Sequence, residues 1–469
     1  MTAVERELAA LPVTIDRPRE WARMAIVWLV WAATVASVLA FIARDGRNIP
    51  FEEDWLMVAP MTGHEPDLTA WLWSQNSEHR LPLPRLVNLA LLRATGDFRS
   101  TMVFDTLALA AIAAGMILVA RKLRGGRTSL TEAFFPLLLL QLGNWDNLVW
   151  AWQIQFVLPT VLACVLLLVI VASPTPPGRW GSLVAAVALI GLPLSGANGL
   201  LYTPTLAAWL AYTAWIRRHD PTAERWAGDW VPSAAACLAL LLCAVYFIGY
   251  QASPWNQASP GIGATLATTG KFLALSLGPA AAEQWLLFGG MAALLFLGTS
   301  AVLAATYRES RRERLRMLGL LAFLTAAFLM AGAIGWGRAG RAAETGRMST
   351  RYVLLAAPGL CAVYFTLILS SRAWVRRILP AALALLIALL FPLNTHLGLK
   401  RRSWFGAGFA AFERDLKAGT PREQLARQHY QFLLHWDEPL MVVGLQRLHE
   451  ARIGPFAAWE PGPANGSSR

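Results

Sequence analysis

The feature that most limits this chain is a succession of long apolar runs separated by short basic clusters. Ala22–Ala43 is the first, with Arg23 as its only charge, and a bilayer takes about 20 apolar residues as a helix. Further runs follow at 102–120, 131–142, 149–172, 181–196, 199–216, 231–250, 285–306, 317–336, 352–371 and 378–394. Hydrophobic residues make up 56% of the chain and charged ones 15%, a balance outside the range of soluble domains. Spanning segments must satisfy their backbone hydrogen bonds internally, which leaves helices for runs of this length. The expected fold class is therefore all-α, a polytopic integral membrane protein of about 11 transmembrane helices. The first run is too long for a cleaved signal core of ~7–15 residues and reads as a retained anchor.

Arginine and lysine in short loops set the topology. The clusters "RKLRGGR" (121–127), "RRHD" (217–220), "YRESRRERLR" (307–316) and "RAWVRR" (372–377) all fall inside if the N-terminus is inside and the C-terminus outside. That path makes 263–279 a re-entrant or interfacial helix on the outer face. It divides the chain into a cytoplasmic N-terminus (1–21), a transmembrane domain (22–395) and a short helical tail on the outer face (396–469) ending in a flexible "PGPANGSSR". Three segments of the transmembrane domain face out, a long first loop bearing short helices (44–101), the tip "GNWDN" (143–147) and a basic loop (337–351). The net charge of +12 is spread over these loop clusters, the pattern of membrane topology, so no nucleic-acid partner is expected. Cys164, Cys237, Cys243 and Cys361 all lie in apolar runs without a Cys-x-x-Cys pair, which argues against a disulfide framework.

The first outer loop carries the densest chemistry. It opens on "FEEDW" (51–55), three adjacent carboxylates just past the first span. Crowding raises at least one carboxyl pKa, which suits a general base. Asp54 is the favoured base and Glu53 the next. Glu78, His79 and Arg80 stand further along the loop, and Asp146 sits at the tip of a second outer turn, "GNWDN". A divalent cation, Mg²⁺ or Mn²⁺, could share Glu53, Asp54 and Asp146, since hard cations prefer oxygen ligands. Arg338, Arg341, Arg347 and Arg351 face out against the positive-inside trend, and an anionic substrate such as a phosphate would account for them. The bland alternatives are a solvated interfacial loop, arginines on lipid headgroups, and Asp146 as a helix cap. "SGANG" (195–199) reads as a turn, and His429, His435 and His449 show no metal-ligand spacing.

With Glu53-Asp54 after the first span, "NSEHRLPLPR" (76–85), Asp146 in the next outer tip and an Arg-rich outer loop ending "STRY" (349–352), the chain resembles the GT-C superfamily of polytopic glycosyltransferases. The likeness is to its protein O-mannosyltransferase and aminoarabinose transferase branch. The resemblance covers most of residues 20–395 and rests on architecture more than on a sharp motif. It implies a polyprenyl-phosphate-linked sugar as donor and a glycan, lipid or protein as acceptor, met at the outer face of a bacterial cytoplasmic membrane. The carboxylate would take the acceptor's proton while arginines stabilise the departing lipid phosphate, with Tyr352, Glu78, His79, Arg80 and Asp146 as further substrate-binding residues. The family's acidic pair is commonly Asp-Glu and here reads Glu53-Asp54, with Glu52 added. Two other readings stay open: a lipid-linked glycan flippase or transporter, and a polysaccharide polymerase or ligase.

Overall fold

Helix α1 (Arg17–Asp45) leads into the long first loop, and an amphipathic α2 (Pro82–Thr95) lies within that loop. Next come α3 (Arg99–Leu123), a short α4 (Phe134–Leu139), α5 (Ile154–Ala172), α6 (Arg179–Gly191), α7 (Thr203–His219) and α8 (Val231–Tyr246). The chain continues through α9 (Ile262–Leu275), α10 (Trp285–Glu309), α11 (Arg314–Thr345), α12 (Val353–Leu369) and α13 (Ala373–Lys417). Two tail helices close it, α14 (Arg422–Leu433) and α15 (Glu438–Glu450). This computed structural model describes residues 17–220, 226–253 and 257–462. Among them strand is confined to an antiparallel pair in the first loop, β1 (Gln75–Asn76) and β2 (His79–Arg80).

Among the described residues seven helices are long and apolar enough to cross a bilayer: α1, α3, α5, α10, α11, α12 and α13. The protein is an all-α membrane protein. α12 is the central column, with nearly every side chain buried. α10 shows lipid-type exposure of Leu286, Leu287, Leu294 and Leu297.

Polar contacts tie the helix ends into two groups. At one end Glu20 accepts from the Thr128 amide (2.6 Å), Arg124 donates to the Tyr364 hydroxyl (2.9 Å), Arg217 donates to the Pro177 carbonyl (2.7 Å) and Ser371 donates to Glu309 (2.7 Å). At the opposite end Arg402 pairs with Asp45 at 2.6 Å, and the first loop meets the end of α8. The expected 131–142 span is not one helix. The chain leaves the helical region at Leu140 and the extended Gln141, which leaves a short α4 flanked by two 3-10 turns, Leu130–Ala133 and Leu142–Asn147. The tip after it presses against α13 so closely that a Cβ at Gly398 would collide with the Leu142 carbonyl.

Two expected boundaries shift, both because a helix outruns the membrane. At 1.5 Å per residue, the 32-residue α11 is about 48 Å long against an apolar core of about 30 Å. The basic 337–351 segment is thus largely the projecting end of α11, and a loop only from Gly346. Likewise α13 runs 45 residues without a break at 395, so the tail grows rigidly out of the last apolar helix. Asn394, buried on α13, donates to the Leu277 carbonyl (3.0 Å) and accepts from the Ala280 amide (2.9 Å). This clamp holds the turn after α9 against α13, and before the start of α9 Gln257 abuts Gly340 of α11. The tail's expected short helices are α14, α15 and a 3-10 turn at Gly454–Ala458. Its expected flexible end, from 463 on, lies outside the described residues, as does 1–16 of the N-terminus.

Candidate functional site

"FEEDW" folds as the start of a 3-10 turn, Glu52–Met57, beneath the tail. Phe51 anchors it from below: its ring meets Trp150 at 5.2 Å, Phe405 at 5.1 Å and Phe432 at 5.6 Å. Trp55 is buried against α15, where a Cβ at Gly444 would approach its ring to 2.8 Å. The alternation that buries Phe51, Asp54 and Trp55 turns Glu52 and Glu53 toward a polar cleft.

Asp54 is therefore not the residue that faces the cleft. It is 1% exposed, and its Oδ2 accepts the Phe51 amide at 3.3 Å, which caps the turn. Burial pushes its carboxyl well above the ordinary range, and the neighbouring glutamates push the same way. Glu53 is half-buried, and its Oε2 has no hydrogen-bond partner. Burial raises its pKa, and Arg351, its own backbone amide and His435 act against that rise. Glu52 is pushed up to about 8 by burial and by Glu53, with Arg351 and Arg341 opposing.

Arg351 is the hub of the cleft. Its charge acts on Glu52, Glu53, His79 and Asp146, and its guanidinium lies 5.8 Å from the ring centres of both Phe156 and Tyr352. Asn147 donates to the Arg351 carbonyl at 2.8 Å, and Thr350 donates to Asp146 Oδ2 at 2.6 Å, so the "GNWDN" tip and the end of the basic segment are laced together. Burial raises the Asp146 carboxyl, against the pull of Thr350, Arg351 and Arg401. Around this hub several buried polar atoms have no partner: Arg351 Nε, Asn144 Nδ2, Asn147 Oδ1 and His79 Nδ1. Native interiors satisfy almost all such atoms, and a cluster of exceptions points to water or a ligand among them.

Beside the cleft lies a cavity of about 230 Å³ between the first loop, α8 and α11, reaching Phe156 and Tyr352. Tyr246, Phe247 and Tyr250 supply aromatic faces, and Glu78, His79, Asn198 and Arg338 supply polar edges. Burial and the charges of Arg338 and Arg351 push His79 down to about 4, so its imidazole is neutral at neutral pH. Arg338 pairs with Glu78 at 3.0 Å; the arginine expected to meet a phosphate is matched by a carboxylate.

Three other expectations change. Arg80 is a structural clamp: its guanidinium donates to the carbonyls of Tyr246 (3.0 Å), Trp73 (2.9 Å) and Ile248 (2.9 Å), which fastens the β-hairpin to the end of α8. Arg347 is exposed, past the end of α11, and joins none of the cleft contacts. The Mg²⁺ or Mn²⁺ set of Glu53, Asp54 and Asp146 does not assemble. Among the described residues no three His, Cys, Asp or Glu side chains converge as metal ligands; Asp54 points into the capped turn, and Arg351 acts on both Glu53 and Asp146. The donor set does not fit a cation.

Sequence reasoning missed two residues. Asn198 reaches the cavity from the "SGANG" turn, which read only as a turn. His435 of the tail contacts Glu52, with Nδ1 2.7 Å from Oε2. A partial signal existed for the second: His435 stands in the break between two amphipathic helices, just before the Asp437 cap of α15. All four cysteines are free. No family model matches this chain, and no curated protein or solved structure matches it.

Proposed function

We propose that the protein is a membrane glycosyltransferase that moves a sugar from a polyprenyl-phosphate donor to an acceptor hydroxyl, with Glu53 as general base. The observation that carries this reading is the convergence of Glu53 and Asp146 on Arg351, at the edge of an aromatic-lined cavity whose one carboxylate–arginine pair is internally balanced. Balanced charge and ring faces suit a neutral polyhydroxyl ring. An unfilled guanidinium Nε on Arg351 suits a phosphate at the cavity mouth. Glu53 takes the acceptor proton as its oxygen bonds to the anomeric carbon. The carbon–oxygen bond to the phosphate breaks, and the lipid phosphate leaves with the electron pair, its charge offset by Arg351 and Arg341. The lipid chain lies in an apolar groove between helices.

The same reading takes the path as eleven crossings, α1, α3 to α8 and α10 to α13, with α9 interfacial and the site at the outer face of a bacterial cytoplasmic membrane. The two groups of helix-end contacts support the longer of these crossings; α4, six residues long, crosses only together with the 3-10 turns on either side of it. Comparing lipids from a deletion strain carrying the wild-type gene or Glu53→Gln tests the function. Accumulated polyprenyl-phosphate sugar in the E53Q strain is expected, and an unchanged lipid profile would remove the proposal. One observation favours a second reading as a flippase or transporter: Asp105 on α3 is fully buried with both carboxyl oxygens unpartnered, and intramembrane carboxyls mark pathways. Asp105→Asn that stops lipid-linked sugar export while leaving in vitro transfer intact would select that alternative.

A further inference from the structure

The tail does more than cover the acidic turn. Among the described residues four non-glycine residues have positive φ: Glu52 at 51°, Ser77 at 50°, His435 at 40° and Arg452 at 54°. Two of these four, 383 positions apart, hold each other through the 2.7 Å contact of His435 Nδ1 with Glu52 Oε2. Left-handed backbone at bulky residues is costly and persists where the surroundings over-determine it, which happens most at functional sites. The surroundings here are specific. The His435 amide donates to the Tyr430 carbonyl at 2.6 Å, and its ring packs on Trp436 at 4.8 Å. Phe432, three residues earlier, packs on Phe51 and Phe409. The turn between α14 and α15 is thus fixed on the same aromatic cluster that anchors the acidic turn. The charges facing His435 are those of Glu53 and Arg341, members of the cleft.

We propose that His435 is a positioning residue: the C-terminal segment reaches back over the site to hold Glu52 aside, so that the next residue, Glu53, presents its carboxylate to Arg351. This rests on the reading of Glu53 as base. Adjacent residues in a tight turn share a backbone, so fixing the side chain and the strained φ of Glu52 fixes the direction in which Glu53 leaves the turn. Released from His435, Glu52 can relax to the ordinary φ region and rotate Glu53 away. The contact joins residues of the first and last segments of the chain, so the site is complete only when the tail is docked.

Substitutions at His435 separate the contact from the strain. Glycine accepts φ of 40° freely but loses the contact. Asparagine tolerates the left-handed region and places a polar atom on Cγ where Nδ1 stands. The full chain in lipid nanodiscs is assayed for transfer from a panel of short-chain prenyl-phosphate hexoses and pentoses, with amide exchange followed over residues 51–57. For His435→Gly, kcat should fall about 10–100-fold with donor KM within about twofold, the size expected when a reacting group is misplaced by about 1 Å. Exchange over 51–57 should quicken in parallel. His435→Asn should recover both. Glu52→Gly breaks the contact from the other side; it should reproduce the His435→Gly loss, and the double variant should add little to it. A His435→Gly protein that matches wild type in turnover and exchange overturns the inference, as does an Asn variant no better than the Gly one. If wild-type protein transfers nothing from any donor, the transferase reading fails, and the exchange series decides the contact by itself.

Discussion

Asp54 is the carboxylate that sequence position alone would make the base, and its surroundings predict the opposite result on substitution. Burial holds its carboxyl well above the ordinary range, so its neutral form is the one the fold accommodates. Asn imitates that form in size and keeps an oxygen to accept the Phe51 amide at the 3.3 Å contact. Ala removes that cap and leaves a gap at a site 1% exposed. Loss of such a cap costs about 0.5–2 kcal/mol. Asp54→Ala should therefore lower the thermal midpoint in nanodiscs at pH 7, while Asp54→Asn should hold or raise it. The sign with pH follows from linkage. A carboxyl whose folded pKa is raised contributes stability that is full below its ordinary value and is lost as pH rises through the folded value. The wild-type advantage over Asp54→Asn should thus be greatest at acid pH and shrink, then reverse, as pH rises. Transfer by Asp54→Asn should stay near wild type, whereas a lost general base costs about 10²–10⁴-fold, the loss expected of Glu53→Gln. A dead but well-folded Asp54→Asn enzyme, with Glu53→Gln active, would refute the assignment of the base and the account of the turn.

Arg80→Ala removes three charge-assisted bonds to backbone carbonyls and should destabilise by about 2–4 kcal/mol, since each such bond contributes about 1.5–3 and they do not add fully; limited proteolysis between residues 73 and 81 reads the loosened loop, and an unchanged cleavage rate would contradict the clamp. Gly398→Ala should disrupt the passage of α13 past the Leu142 carbonyl and lower the thermal midpoint, and a neutral result would mean the close approach is not needed. Burial and Glu53 hold Glu52 up at about 8, so its proton's support for the docked tail, full below about 4.5, should be lost as pH rises through 8; exchange in residues 422–450 should speed up over that window in wild type and not in Glu52→Gln. Cysteine placed at Arg427 should label from outside the cell and at Arg311 only from inside, and the reverse pattern would invert the topology.

The membrane class and most helix positions were legible because an apolar run of span length has one outcome in a bilayer. For α9 charge alone supplies the expectation of an interfacial helix, since a crossing there would send "RESRRERLR" to the other side. What the sequence hid were the places where helix continuity outlasts hydropathy. Gly337, Gly340 and the arginines around them look like a loop, yet no residue there forbids an α-helix, and packing against α9 keeps α11 helical to Thr345. The same holds for α13: its apolar pattern ends near 394, but nothing in "THLGLKRRSW" stops a helix, and the aromatic cluster of Phe405, Phe409 and Phe412 rewards its continuation. The break at 131–147 is the converse case, an apolar stretch that leaves the helix at Leu140 and Gln141 without any residue there that forbids helix.

The site was half legible for a related reason. Sequence can mark which residues carry chemistry, but not which face of a short turn they share. "FEEDW" announced three carboxylates, and the fold sorts them by a register set elsewhere. Phe51 and Trp55 must both be buried, one against α13 and α14, the other against α15. In a tight turn that requirement draws Asp54 inward with them and leaves Glu52 and Glu53 in the cleft. The partners that fix this register, Phe405, Phe432 and Gly444, lie hundreds of residues away in a segment that reads as a minor tail. The same distance hides Arg351 from Glu53 and Asp146. Here the last segment of the chain decides which of the first loop's acids faces the arginine, so shortening the tail should change the chemistry of the loop before it changes the membrane fold.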